Sequence, residues 1–202
     1  ILSVLAANGI AEPDQMKIVD LAQQVENEYV GSPCGKLDQL MILFAKAGMG
    51  THYKPADRSI AYVPLGAGAK DFRIVVMDTG TVRPGLEKST YKVRRSECDE
   101  LAAAAKAAGF GISCLADIRD AGLYDKIAAH FSAKHPNWVS RMHYIYNAQK
   151  RFYQMMDAWK KGDIETVGRI FRQDGLGLRD EYAISGPELE TMCDIARTVP
   201  GV

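Results

Sequence analysis

The sequence has no excess of charge of either sign: 25 Lys and Arg stand against 25 Asp and Glu in 202 residues. No net field therefore draws the protein to nucleic acid or to an acidic membrane, which leaves only a local patch to do so. Cysteine is scarce. Cys34, Cys98, Cys114 and Cys193 lie far apart, with neither a CxxC pair nor Cys/His metal spacing, so reduced thiols fit better than a disulfide framework or a structural zinc site. No apolar run reaches the ~18–20 residues that span a bilayer, and no charged-then-apolar leader opens the chain. Repeats and low-complexity tracts are missing as well. These absences point to a soluble cytoplasmic protein, with a monomer as the default. The chain starts at Ile1 inside a helical pattern and stops at Pro200-Gly201-Val202 without a polar tail, which reads as a piece of something longer.

What is there is 47% hydrophobic content, enough to bury one large core or two small ones. Residues 14–29 place Ile18, Leu21, Ala22, Val25 and Tyr29 on one face of a helix. Glu26 falls near its end, where a carboxylate opposes the helix dipole, so a tertiary partner such as a cation is expected, against the plainer reading of a solvated acid beside Glu28. An apolar segment follows at residues 39–44. Two short strands then flank Pro55-Ala56-Asp57-Arg58 as a hairpin. Gly66-Ala67-Gly68-Ala69 is the best linker, and the continuous apolar run at residues 72–77 suits a buried strand that opens a second lobe.

The second lobe reads as helix-rich. A helix over residues 88–108 stops at Gly109, and its Lys92, Arg94 and Arg95, with Glu97, Asp99 and Glu100 close behind, read as a solvated face and not a nucleic-acid patch. Trp138, Met142, Ile145, Phe152, Met156 and Trp159 follow helical steps before Gly162 and read as core. His143 has no second ligand at metal spacing and reads as an ordinary helix histidine. Asp163 caps the next helix, and Ser185-Gly186-Pro187-Glu188 reads as a capping box for the last.

The stretch with most chemical promise is Pro33-Cys34-Gly35-Lys36-Leu37-Asp38-Gln39, where a glycine turn sets one acid at the start of an apolar helix. Gly35 allows a sharp turn and a close ligand approach, and the amides of a helix start favour a carboxylate at Asp38. From the segment alone, Asp38 is more readily read as a stabilising acid in a first turn.

Three stretches together resemble the galactokinase branch of the GHMP small-molecule kinases. They are Val25-Glu26-Asn27-Glu28-Tyr29-Val30-Gly31 with the turn at residues 33–39; Ser89-Thr90-Tyr91-Lys92-Val93-Arg94-Arg95-Ser96-Glu97-Cys98; and Leu178-Arg179-Asp180-Glu181-Tyr182 with Ser185, Pro187-Glu188-Leu189 and Val199-Pro200-Gly201-Val202. The resemblance runs collinearly along the chain. It implies a two-lobed α+β fold, with residues 1–68 as the later part of an N-terminal lobe like domain 2 of ribosomal protein S5 and residues 69–202 as a ferredoxin-like, helix-rich C-terminal lobe. It implies ATP-dependent phosphorylation of the anomeric hydroxyl of galactose, with ATP and Mg²⁺ as cofactors and neither nucleic acid nor membrane as a partner. Asp38 then matches the acid facing the sugar hydroxyl, Glu26 a magnesium ligand, and Tyr91 an aromatic hydroxyl that bonds the sugar. Cys34 and Gly35 match the turn lining the sugar pocket, and Gly85 and Leu86 fall in the segment assigned to the nucleotide.

Departures from the family pattern are also present. The family's amino-terminal sugar motif, its phosphate loop and its final glycine-rich motif are not in the sequence, so this stretch by itself is not expected to phosphorylate a sugar. Arg83-Pro84-Gly85-Leu86 stands for Arg-His-Ser-Leu, and Asp174-Gly175-Leu176-Gly177-Leu178 for Ser-His-x-Ser-Leu. Gly175-Leu176 and residues 39–53 resemble the galacturonate-kinase relatives, and Lys36 in the pocket turn is suggestive beside an acidic sugar though more readily read as a surface lysine, so a galacturonate or other hexose-derivative 1-kinase is the alternative within the family. A catalytically inactive sugar sensor is the alternative from another class.

Overall fold

The computed structural model describes residues 2–10, 14–82 and 90–202, and the chain divides into two units, Ile1–Leu65 and Gly66–Val202. In the first, α1 (Leu2–Ala7), α2 (Gln15–Gln24) and α3 (Leu37–Phe44) precede a hairpin of β1 (Met49–Lys54) and β2 (Ser59–Pro64). α2 starts where the Asp14 carboxylate accepts from the Met16 amide at 2.9 Å, satisfying a donor that has no partner inside the helix. Ile18 and Val19 of α2 and Leu40 of α3 are buried, and through these faces the two helices pack together.

Past Gln24 the helix widens into a π-helical turn, Val25–Val30, which Gly31 closes at φ 81°. Only glycine adopts that left-handed conformation without a Cβ penalty. The wider turn rotates the residues after it off the α2 stripe. Tyr29, expected on the apolar face, is accordingly 90% exposed. The hairpin forms where the sequence places it, in antiparallel register from Met49 opposite Pro64 to Lys54 opposite Ser59.

The second unit holds α4 (Thr90–Ala107), a 3₁₀ turn at Leu115–Asp117, α5 (Ala121–Phe131), α6 (Pro136–Lys161), α7 (Ile164–Asp180) and α8 (Pro187–Ala196). Its core joins Leu101 and Ala105 of α4, Ile118, Ile127 of α5 and Met142 of α6. Each large apolar side chain fully buried there contributes about 1.5–3 kcal/mol. The apolar stripe of α6 is core in its first half: Trp138 and Ile145 pack on that cluster, whereas Phe152 emerges at the surface. Gly162, at φ 74°, ends α6, and Asp163 caps α7 by accepting from the Thr166 amide at 3.0 Å.

Two expectations fail. Residues 72–77 form no strand, and Ile74 and Val76 are 85% and 92% exposed. The run has the composition of a strand, but a strand also needs a ladder partner, and none pairs with it among the described residues. The capping box at Ser185 does not form either. Gly186 occupies the cap position with extended backbone and no side-chain bond, one residue later than the pattern requires, so Ser185 lies outside the helix with a buried hydroxyl that has no partner among the described residues. Among the described residues no helix is long and apolar enough to cross a membrane.

Candidate active site

α2 and α3 meet at a small polar cluster built by the π-helical turn and the segment that follows it. Glu26 lies in that turn, half-buried, and its carboxylate oxygen Oε1 accepts from the Gln39 amide Nε2 at 2.8 Å. The partner expected for Glu26 was a cation; among the described residues it is a neutral amide. The Cys34 thiol donates to Asn27 Oδ1 at 3.4 Å, and Gln39 Nε2 stands 3.9 Å from the sulfur. Gln23 donates to the Cys34 carbonyl at 3.0 Å, which fixes the turn backbone. Burial pushes the Cys34 thiol up, and the Glu26 carboxylate beside it adds to the shift. A thiol held neutral in this way is a poor nucleophile.

Gly31, not Gly35, supplies the left-handed turn. A Cβ built on Gly35 meets nothing within 4 Å, so the fold alone does not demand glycine there. Lys36 caps α3 through its backbone, and Asp38 sits in the first turn. The Asp38 carboxylate is exposed and engages no hydrogen-bond or ion-pair partner among the described residues. Because adjacent helix positions diverge by about 100°, Gln39 points inward and is buried while Asp38 points out.

Lys36 is already engaged. Its Nζ lies 2.5 Å from Asp20 Oδ1, and Arg58 reaches the other oxygen at 2.7 Å. The Lys36 ammonium, and then the Arg58 guanidinium, hold the Asp20 carboxyl below its usual range. Sequence reasoning missed this triad because its members are 16 and 38 residues from Asp20 along the chain. Gln39 lay inside the motif, but no periodicity marked it as the partner of Glu26.

Tyr91 belongs to the second unit, in the first turn of α4, and is 39% exposed. Gly85 and Leu86 lie outside the described residues. Of the three cations read as a solvated face, Arg95 pairs with Asp99 at 2.8 Å on the surface. Arg94 instead turns inward, donating to the Ala183 carbonyl at 2.9 Å and to Glu97. A cavity of about 530 Å³ opens beside α4, lined by Arg95, Cys98, Asp99, Lys106, Cys114 and Tyr182 among others. His143 bonds Tyr124 at Nδ1 (2.8 Å) and Asn147 at Nε2 (3.0 Å), so both ring nitrogens are occupied. Asp174, which stands where the family pattern has serine, accepts from Tyr144 at 3.1 Å and from Arg151 at 3.0 Å.

No protein-family model matches the chain. It is 32% identical over 181 residues to the galactokinase of Chloroflexus aggregans, covering 90% of this chain and 44% of that protein. With human galactokinase it shares 29% identity over 183 residues, covering 90% of this chain and 43% of the relative. The chain thus spans somewhat under half the length of these curated relatives. A crystal structure of Lactococcus lactis galactokinase complexed with galactose superposes with a TM-score of 0.86 at 24% identity, over 98% of this chain and 50% of that one. The fold is therefore the α+β fold of the GHMP kinases. With this identity over 90% of its length, the chain belongs to the galactokinase branch of the GHMP kinase family.

Proposed function

We propose that the whole protein transfers the γ-phosphoryl group of ATP to the anomeric hydroxyl of galactose. The carrying observation is Asp38: an exposed carboxylate in the first turn of a helix, without a partner among the described residues, directly before the Gln39 that holds Glu26 in place. Phosphoryl transfer needs a positioned hydroxyl and neutralised phosphate charge more than covalent help. Asp38 takes the hydroxyl as a hydrogen-bond acceptor and orients or deprotonates it. Tyr91 bonds the sugar, Cys34 and Gly35 line its pocket, and Gly85 and Leu86 contact the nucleotide. Residues 1–68 then belong to the N-terminal domain and residues 69–202 to the C-terminal one.

The residues present also fit a magnesium ion. Mg²⁺ is commonly held by one or two carboxylates together with substrate phosphates. Glu26 supplies one carboxylate, and the buried oxygen of Gln39 beside it has no donor of its own. Bound there, the ion would neutralise charge on the phosphates. Lys36 does not favour an acidic sugar, because its charge is used by Asp20. A cytoplasmic monomer acting on small molecules, without nucleic acid or membrane, fits the balanced charge.

The test is ATP-dependent sugar-1-phosphate formation by the whole protein across galactose, galacturonate and N-acetylgalactosamine. Preference for galactose supports the reading, and preference for the uronate overturns the substrate. Galactose binding without turnover would make the protein a sensor.

A further inference from the structure

We infer that Gln39 is a positioning residue, which sets the Glu26 carboxylate for the metal and fixes its place relative to Asp38. The inference rests on the proposed role of Glu26 as a magnesium ligand. Gln39 is 9% exposed and follows Asp38 directly on α3. Its Nε2 donates to Glu26 Oε1 at 2.8 Å, and its own Oε1 is buried with no donor among the described residues. A carboxylate can only accept, so the amide must turn its nitrogen toward Glu26. Flipping the amide to rescue its oxygen would set two acceptors against each other. The fold therefore keeps a donor on Glu26 while one buried acceptor has no partner among the described residues.

Two consequences follow from this geometry. Glu26 lies in a π-helical turn, and its side chain is tethered from outside that turn by Gln39. The tether comes from the helix that carries Asp38, so any shift of α3 moves both acids together. Groups that orient a metal ligand in this way typically control metal affinity by about 10–100-fold.

The experiment measures Mn²⁺ binding to the nucleotide-loaded whole protein by electron paramagnetic resonance, with galactose affinity by calorimetry as the control for folding. Gln39→Met keeps length and removes the donor. It is expected to weaken Mn²⁺ by about 10–100-fold, leave galactose affinity unchanged, and raise the metal requirement of turnover while kcat recovers at saturating metal. Gln39→Asn withdraws the amide by one methylene and serves if the methionine variant does not fold; it weakens Mn²⁺ in the same direction. If Glu26→Gln weakens Mn²⁺ and the Gln39 variants do not, the inference is overturned. If Glu26→Gln binds Mn²⁺ as the unaltered protein does, Glu26 is not the ligand, and the reading beneath the inference falls with it.

Discussion

Arg141 Nε donates to the Glu97 carboxylate across 2.7 Å, and with side chains 6% and 15% exposed neither charge has water to fall back on. Arg94 adds a second cation to Glu97 at 3.1 Å, and Arg141 also donates to the Glu181 carbonyl. Burial pushes the Glu97 carboxyl up, but Arg141 and Arg94 together outweigh it and hold the group below its usual range. The network ties α4 to α6 and to the segment after α7. Its members carry the family segment around Tyr91, which gives Arg94 and Glu97 a structural place in that motif.

Removing Arg141 leaves the Glu97 carboxylate, 15% exposed, with Arg94 as its remaining cation. Arg141→Ala should therefore cost less than the about 3–5 kcal/mol of a buried pair broken outright, read as the shift in the denaturant midpoint of unfolding. Glu97, lowered in the folded state, contributes stability above the ordinary carboxylate pKa and loses it as pH falls through the lowered value. Acid unfolding should accelerate below about pH 4, and Glu97→Gln should flatten that dependence. A Glu97→Gln protein with an unchanged acid profile would contradict the account.

Gly66 and Gly162 touch through their backbones at the end of α6. A Cβ on Gly66 would come within 2.4 Å of the Gly162 nitrogen and 2.5 Å of the Lys160 carbonyl. Both neighbours are main chain and cannot swing away. Gly66→Ala should destabilise by about 1–3 kcal/mol, measured by thermal or denaturant unfolding, whereas Gly35→Ala, with open space around it, should leave stability unchanged. A stability loss at Gly35 would mean that the turn is tighter than described.

Much of the fold was legible because its signals are local. Asp163 caps the helix it precedes, the Pro55-Ala56-Asp57-Arg58 turn joins two strands, and Gly162 stops α6. What failed depended on distant partners. Residues 72–77 have strand composition, but composition does not supply a ladder. At the site, Asp38 could be placed at a helix start from spacing alone, yet its lack of a partner, the tether from Gln39 to Glu26 and the capture of Lys36 by Asp20 are contacts between separate elements. The resemblance supplied roles that periodicity could not.

Lys36 illustrates the difference. In the turn proposed to line a sugar pocket it suggests recognition of a uronate, but its ammonium is neutralised by Asp20. Lys36→Met should change the galacturonate-to-galactose ratio of kcat/KM by less than about twofold. Its effect on stability should stay under about 1 kcal/mol, as for a partly exposed pair. A collapse of uronate turnover in this variant would restore Lys36 as a specificity residue.

The central claim is that Asp38 serves the reaction and not the helix. Turnover of galactose by an Asp38→Asn variant of the whole protein, measured with its galactose affinity and unfolding midpoint, tests it most directly. The account predicts kcat lower by about 10²–10⁴-fold, with folding and sugar binding nearly intact, because the exposed carboxylate holds no contact that the fold depends on. Undiminished turnover, or a protein that loses stability in step with activity, would contradict it.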